Sequence, residues 1–283
     1  MTTADPRLAP FLDQRPRLRL LAYRLLGSIS DADDVIQDAW LKWCVLDDGI
    51  VRDPAAFLTT QVTRLSIDRL RKLKRQRELG RQWLPEPWFD TVAEDEADLS
   101  TGLLLLLERL GAEQRAVYVL REAMDLDFAE IAAILDKSVA TCRQIMSRAR
   151  AALKGQPRFA WDAAQTATLV QRFASACEQR DYAALVDLLG DECRLVSFAG
   201  AKGKAALNPI RGPDKISRFL LGVRRKFLAA DFHLRPVVVN GLPALVGADG
   251  DGARWVLSFG CRDGKIFGVY LMADPDKVVH APS

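Results

Sequence analysis

The chain has 283 residues, which is enough for about two domains that each bury their own core. Its 49% hydrophobic and 27% charged residues are typical of a soluble globular protein, and its net charge is only +3. The longest apolar run, Leu103–Leu107, is too short to cross a membrane, and the polar stretch Met1–Arg19 does not look like a signal peptide. Five scattered cysteines and two histidines argue against a disulfide framework and a histidine-based zinc site. We therefore expect a cytoplasmic protein without a metal, a cofactor or a membrane partner.

The first section, from about Leu8 to Arg77, is predicted to be all-helical. The acidic stretch 31–34 indicates a helix start, where capping and the helix dipole favour acids. A loop at Asp47–Pro54 precedes a long predicted helix, Ala55–Lys74. The end of that helix is strongly basic, with Arg69, Arg71, Lys72, Lys74, Arg75 and Arg77. Such a run indicates either a nucleic-acid contact or a solvated helix face.

A linker from about Glu78 to Ser100 follows, and its charge is opposite. It contains Pro85 and Pro87, and beyond them no base interrupts a series of acids. Glu86 lies between the two prolines, and the acids that follow are Asp90, Glu94, Asp95, Glu96 and Asp98. A basic helix end followed directly by an acidic linker indicates a chain that contacts differently charged surfaces of a complex that contains nucleic acid.

The second helical section, Leu103–Lys154, ends in a pattern typical of a helix-turn-helix. Two short helices flank a tight turn at residues 136–138, and the second helix has an apolar stripe that includes Cys142 and Met146. Its outward positions carry Thr141, Arg143, Gln144, Ser147, Arg148 and Arg150. Side chains of these types bind base edges and phosphates when a recognition helix lies in the major groove. A three-helix bundle with a solvated basic face is the alternative.

The remainder, after the break at Gly155-Gln156-Pro157, has a different character. Two amphipathic helices are predicted first, a strand at Cys193–Phe198 follows them, and a third helix fits Pro213–Phe227. Four strand-like runs follow, separated by turns such as Asn240-Gly241, whose residues tolerate positive φ. Helices followed by an antiparallel meander predict an α+β domain with helices packed on one curved sheet.

Together these motifs resemble a group 4, or extracytoplasmic-function, bacterial sigma factor. The resemblance rests on YRLLGS with DADDVIQDAWLKW, on AAFLTTQVTRLSIDRLRKLKR, and on LGAEQRAVYVLRE with DFAEIAAILDKS. It implies a multidomain protein, with two all-α sigma domains followed by an α+β domain. The expected divisions are region 2 at 1–78, a linker at 79–101, the region 4 helix-turn-helix at 102–155, and the α+β domain at 163–283.

The resemblance also implies roles for individual residues and two partners, core RNA polymerase and promoter DNA. The set expected to dock on the polymerase clamp helices is Asp33, Asp34, Gln37 and Asp38, and the polymerase flap is a further expected contact. The set expected at the −10 element, besides the Asp47–Pro54 loop, is Gln61, Arg64, Asp68, Arg69 and Arg71. The set expected to read the −35 element is Thr141, Arg143, Gln144, Ser147 and Arg148. The acidic linker would lie along the path that later holds RNA.

The tail, from about Ala163, resembles a SnoaL-like domain of the NTF2 superfamily, a cone around a pocket that has room for a small ligand. Its fusion to a group 4 sigma factor defines a subclass that includes the actinobacterial sigma factor J type. The linker motif of that subclass is present in full as Trp83-Leu84-Pro85-Glu86-Pro87. A glycine-rich motif is reduced to Phe198-Ala199-Gly200-Ala201-Lys202, and a C-terminal motif is present as Asp274-Pro275-Asp276-Lys277-Val278. The resemblance implies that the tail regulates the sigma domains in cis, without a separate anti-sigma factor.

Two alternatives from other classes of protein remain open at this stage. The first is a SnoaL-like enzyme fused to a DNA-binding module, with Asp231, His233, Tyr182 and Tyr270 as candidate acids and bases. Asp231 and His233 would point to one face of a strand, so an enzyme would require both in a closed pocket. The second is a helix-turn-helix regulator whose tail senses a ligand. It leaves the acidic helix, the basic run and the linker motif without a role.

Overall fold

The computed structural model describes residues 7–46, 51–77, 83–89, 100–154, 163–200, 206, 208–227, 231–250, 252–278 and 281. The chain forms two compact units that are each discontinuous in sequence. The first unit contains residues 1–79 and 106–156, and the second contains residues 80–105 and 157–283. Residues 47–50 of the expected DNA-binding loop, the acidic stretch 90–99 and residues 201 and 202 of the reduced glycine motif lie outside the described residues.

The first part of the first unit consists of α1 (Leu8–Leu26), α2 (Ile29–Cys44) and α3 (Pro54–Arg77), which pack on one another. The last nine residues of α1, from Leu18 onward, are buried apart from Arg19. Gly27 ends α1 in the left-handed region with a φ of 67°, and Ser28 caps α2 by accepting a hydrogen bond from the Asp31 amide at 3.2 Å. The acidic stretch therefore lies in the first turns of a helix, as predicted.

The second part of the first unit contains α5 (Ala112–Glu122), α6 (Phe128–Leu135) and α7 (Val139–Leu153). A shorter helix, α4 (Thr101–Leu107), precedes them and spans the junction between the two units. The turn between α6 and α7 begins at Asp136, which has a positive φ of 52°. Helices α6 and α7 thus form the predicted helix-turn-helix.

The second unit contains α8 (Ala163–Gln179), α9 (Tyr182–Leu188), α10 (Pro213–Phe227), α11 (Pro275–Val278) and one mixed sheet. The six strands are β1 (Leu189–Phe198), β2 (Ile210–Arg211), β3 (His233–Val239), β4 (Leu242–Asp249), β5 (Gly252–Arg262) and β6 (Lys265–Met272). Their order is β2-β1-β6-β5-β4-β3, and every pair is antiparallel except β1 with β6. The α+β architecture and the meander of four strands are as predicted, although β1 already begins at Leu189.

Both faces of this sheet carry apolar clusters. On one face, strand residues such as Leu245 and Leu257 pack with Phe173 of α8 and Ile216 of α10. On the other face, their neighbours Val246 and Val256 belong to a cluster that includes Leu84 of the linker and Val278 of α11. Successive residues of a strand point to opposite faces, so alternate positions on these strands face the helices and the linker. The linker therefore forms part of the core of the second unit.

Candidate nucleic-acid interface

The helix-turn-helix is held by reciprocal capping. Asp127 accepts hydrogen bonds from the amides of Ala129 and Glu130 at 2.7 and 2.8 Å, and Glu130 in turn accepts one from the Asp127 amide at 2.7 Å. Ser138 caps α7 through the Thr141 amide at 3.1 Å. These caps fix where α6 and α7 begin, and the apolar stripe of Cys142, Met146 and Ala149 faces inward as predicted.

The outward face of α7 carries the residues expected to read the −35 element. Arg143, Gln144, Ser147 and Arg148 are all exposed, whereas Thr141 is half-buried and its hydroxyl lies 2.8 Å from that of Ser138. Among the described residues, Arg148 has no hydrogen bond or ion pair, while Arg150 is paired with Glu122 at 2.6 Å. The structure thus brings four of the five predicted residues onto one exposed surface, and Thr141 serves the start of the helix.

The residues expected at the −10 element do not form a comparable free surface on α3. Gln61 is half-buried, and Arg64 donates from Nε to the Ile134 carbonyl of the helix-turn-helix at 2.9 Å. Arg71 bridges Asp68 at 3.1 Å and Glu113 of α5 at 2.9 Å. Glu113 also pairs with Lys137 at 3.3 Å. Two predicted DNA contacts of α3 are therefore engaged by the second part of the same unit.

Arg69 is bound by the acidic start of α2. Its Nε lies 2.7 Å from Asp31 Oδ1 and its Nη2 lies 3.2 Å from Asp34 Oδ2. The hydrogen bond to Asp31 raises the pKa of Arg69. Asp33 pairs instead with Arg19 of α1 at 2.5 Å. Thus one residue of the expected −10 set neutralises one residue of the expected polymerase-docking set.

Of the expected docking set, Gln37 and Asp38 remain exposed on α2. Asp34 is also exposed, with 61% of its side chain accessible despite its pairing with Arg69. An acidic surface of this kind can attract a basic partner.

Two buried arginines connect the two parts of the first unit, and sequence reasoning missed both. Arg24 of α1 donates to the Ala123 carbonyl at 2.8 Å, and Arg115 of α5 donates to the Arg24 carbonyl at 3.3 Å. Arg115 is only 2% exposed and forms an ion pair with Glu108. Both helices carry other arginines, so the sequence does not distinguish a buried arginine from one whose long side chain reaches solvent.

A cavity of about 840 Å³ lies between α3 and α5. Its walls carry both signs of charge, from Arg71, Lys74, Glu108, Glu113 and Arg115. Most of these charged side chains are paired with one another. The cavity is therefore lined by ion pairs and not by a surface of a single charge.

The linker motif is bound to the sheet of the second unit. Residues 84–88 are all buried, and the Trp88 amide donates to Asn240 Oδ1 at 3.0 Å while the Asn240 amide donates to the Trp88 carbonyl at 2.8 Å. Asn240 Nδ2 also donates to Thr101 Oγ1 at 3.0 Å. We refer to these contacts of Trp88, Asn240 and Thr101 as the linker clamp. Sequence reasoning identified Asn240 only as a turn residue.

The other predicted regulatory residues gather near the same place. Glu86 forms an ion pair with Lys277 at 3.1 Å, and the Lys277 ammonium lies 5.1 Å from the centre of the Phe198 ring. Gly200 contacts the Asp274 carboxylate. The structure therefore brings together the linker motif, the C-terminal motif and the described part of the reduced glycine motif.

The candidate acids and bases of the tail do not converge. Asp231 and His233 are exposed, and His233 Nδ1 lies 3.0 Å from the Asp231 main-chain oxygen rather than from its carboxylate. Tyr182 is on the surface and donates to Asp214, whereas burial raises the pKa of Tyr270. In the described part of the chain, no group of three or more His, Cys, Asp or Glu side chains is arranged to hold a metal ion, and no helix could span a membrane.

Comparison with protein families defines the class of this protein. The family model for Sigma-70 region 2 matches residues 11–76, and the model for Sigma-70, region 4 matches residues 101–153. The second match includes the helix-turn-helix with its exposed face on α7. These two regions define a protein of the sigma-70 type.

Whole-chain relatives then specify the family. The ECF RNA polymerase sigma factor SigJ of Mycobacterium tuberculosis is 34% identical over a match that covers 95% of this chain and 92% of the relative. The crystal structure of the M. tuberculosis extracytoplasmic function sigma factor SigJ superposes with a TM-score of 0.77 at 31% identity and covers 97% of this chain and 99% of that one. The chain belongs to the extracytoplasmic-function family of RNA polymerase sigma factors, so this prediction is confirmed.

Proposed function

We propose that the protein acts in the cytoplasm as an alternative sigma factor whose C-terminal domain regulates it in cis, in place of a separate anti-sigma factor. It would bind core RNA polymerase, position the enzyme at two promoter elements and assist strand opening. The observation that carries the cis-regulatory part is the linker clamp. The segment that joins the two DNA-reading regions contributes Leu84 to the core of the C-terminal unit and pairs with it through Trp88.

The DNA-reading roles are assigned from exposure and charge. The exposed face of α7 would read the −35 element through Arg143, Gln144, Ser147 and Arg148, because such side chains bond base edges and phosphates in a major groove. The acidic face of α2 with Gln37 and Asp38 would dock on the polymerase clamp helices. Residues of α3 would hold the −10 element and its unstacked bases once these residues are released from their contacts within the first unit.

The closed first unit must open for this activity. Arg64 and Arg71 are engaged by the helix-turn-helix and by α5, and region 2 and region 4 must separate to reach two elements of one promoter. A linker clamped on the C-terminal sheet limits how far they can separate. Release of the clamp would favour the open state, and a two-state equilibrium of this kind shifts with any ligand or partner that prefers one state.

The first test is selection of duplexes from a randomised DNA library by core polymerase together with the full-length protein. We expect enrichment of two sequence elements at a fixed spacing, and none with polymerase alone. Arg143→Ala should abolish enrichment of one element while polymerase binding is retained, and Arg172→Ala, at an exposed position on α8, is the control. Enrichment of one element by the protein without polymerase would instead favour the helix-turn-helix regulator.

The second test addresses cis-regulation by run-off transcription from the selected promoter. Lys277→Ala removes the ion pair with Glu86, and Lys215→Ala, at an exposed position on α10, serves as the charge-matched control. A change in transcript yield with Lys277→Ala alone would support cis-regulation, and its sign would say whether the tail restrains or assists the sigma domains. Identical yields for both variants and for a Trp88→Ala variant would contradict it.

A further inference from the structure

The Phe128 ring lies close to two guanidinium groups at the start of the helix-turn-helix. The guanidinium carbons of Arg121 and Arg143 are each 5.7 Å from the centre of this half-buried ring. Phe128 is the first residue of α6, directly after the Asp127 cap, so its main chain is fixed by the capping bonds. The ring thus has a defined position near both the end of α5 and the recognition helix α7.

The two arginines near this ring are not equivalent. Arg121 donates from Nη1 to the Leu126 carbonyl at 2.8 Å and lies 3.8 Å from the Asp125 carboxylate, so it stabilises the loop between α5 and α6. Arg143 is exposed and, among the described residues, its only polar or aromatic contact is with the Phe128 ring. Attraction to a ring face uses the charge of a guanidinium and leaves its N–H donors available. Arg143 is therefore held in place without using the groups that bond a base.

We propose that Phe128 is a positioning residue that holds Arg143 in the conformation that reads a base of the −35 element. This inference rests on the proposed function, because it requires that Arg143 contacts DNA. Arginine has many rotamers, and an arginine restricted before binding loses less conformational entropy when it forms its base contacts. The ring thus raises affinity for the correct base without contacting the DNA itself.

The expected size of the effect follows from the strength of cation–π contacts at exposed sites. Loss of the ring should lower affinity for the selected −35 sequence by about two- to five-fold. It should lower discrimination against a base substitution at the position that Arg143 reads by a similar factor. Affinity for unrelated DNA should stay nearly constant, because contacts to phosphates do not depend on this orientation.

The test measures binding of −35 duplexes to core polymerase that carries the full-length protein. Phe128→Met removes the ring but keeps an apolar side chain, Phe128→Tyr keeps the ring, and both are combined with Arg143→Ala in a double-mutant cycle. We expect loss with Phe128→Met, retention with Phe128→Tyr, and no further effect of Phe128→Met once Arg143 is absent. Equal losses in both backgrounds would assign Phe128 a merely structural role and overturn the proposal.

A second measurement does not depend on the fold tolerating methionine. Fluorinated phenylalanines at position 128 keep the shape of the ring and weaken its negative face, so discrimination should fall stepwise with the number of fluorines. A flat response would overturn the proposal and leave the proposed function intact. Failure of the proposed function has a different signature, since Arg143→Ala would then bind the selected sequence as well as the wild type.

Discussion

The carboxylate of Asp274 occupies the space beside Gly200 that a side chain at position 200 would need. A Cβ atom at position 200 would be 2.6 Å from Asp274 Oδ2, and Gly200 has a positive φ of 62°. Asp274 Oδ1 in turn accepts a hydrogen bond from the Asp276 amide at 3.2 Å, in the first turn of α11. The single glycine that remains in the reduced motif thus occupies a position that both the main chain and the neighbouring carboxylate reserve for glycine.

Gly200→Ala is expected to destabilise the protein by about 2 kcal/mol or more, because it adds left-handed strain to a steric conflict with Asp274. Chemical denaturation followed by intrinsic fluorescence measures this change. Gly222→Ala is the matched control, because Gly222 lies inside α10 and a Cβ there would meet nothing within 4 Å. We expect that variant to be neutral or more stable by up to about 1 kcal/mol. Equal effects at the two positions would contradict the assignment.

Asn240→Ala should release the linker. It removes the acceptor of the Trp88 amide and the donor to Thr101, and it places alanine at a φ of 55°. A loss of about 2–4 kcal/mol in unfolding free energy is expected from the unsatisfied groups and the backbone strain. Asn240→Gly removes the same hydrogen bonds without the strain, so the difference between the two variants isolates the backbone contribution. Limited proteolysis near Trp88 should accelerate in both, and protection equal to that of the wild type would contradict the clamp.

Arg115→Met should destabilise the first unit by about 3 kcal/mol, because it removes the buried member of the ion pair with Glu108 and the hydrogen bond to the Arg24 carbonyl. The double variant Arg115→Met with Glu108→Leu should recover most of this loss, since replacing both members of a buried pair with apolar groups is often neutral. Thermal denaturation of four proteins measures the cycle: the wild type, Arg115→Met, Glu108→Leu and the double variant. If the double variant were as unstable as the sum of its single changes, the pair would not be coupled.

Stability should fall in alkaline solution because of the buried thiols. Burial raises the pKa of Cys177, Cys193 and Cys261 from 9.0 to about 12. Above pH 9 the unfolded chain loses these protons while the folded chain keeps them, so unfolding becomes more favourable as pH rises toward 12 and is unaffected well below 9. Each thiol contributes up to about 1.4 kcal/mol per pH unit in that window. Urea unfolding between pH 7 and 10.5 should show this slope, and Cys177→Ala should make it shallower.

Local chemistry made much of the fold predictable. The start of α10 was predictable from Gly212-Pro213-Asp214, because proline and an acid in the first turn favour a helix start. The turn at Asn240-Gly241 was predictable because these two residue types adopt positive φ at low cost. Their φ values in the structure are 55° and 74°. The exposed face of α7 follows in the same way from the periodicity of its buried stripe.

The contacts that connect distant parts of the chain were not predictable from such rules. Arg24 meets the Ala123 carbonyl 99 residues later, and the local sequence around an arginine carries no information about a main-chain partner so far away. The role of Asn240 in the clamp could not be predicted, because an asparagine at a hairpin turn needs no further reason to be there. The pairing of Arg69 with Asp31 across 38 residues was likewise not predictable, and the expected contact of Arg69 with DNA stays a prediction.

The order in which the clamp partners leave the ribosome has a consequence for the newly made protein. Trp88 and Asn240 are 152 residues apart, so at 5–20 residues per second the linker is synthesised roughly 8–30 seconds before the strand end that binds it. The synthesis of both sigma regions is completed during that interval, before the strands of the sheet have all been made. A nascent chain therefore passes through a period in which its sigma regions are present and its clamp is absent, and only the finished chain can form the clamp on which the proposed regulation depends.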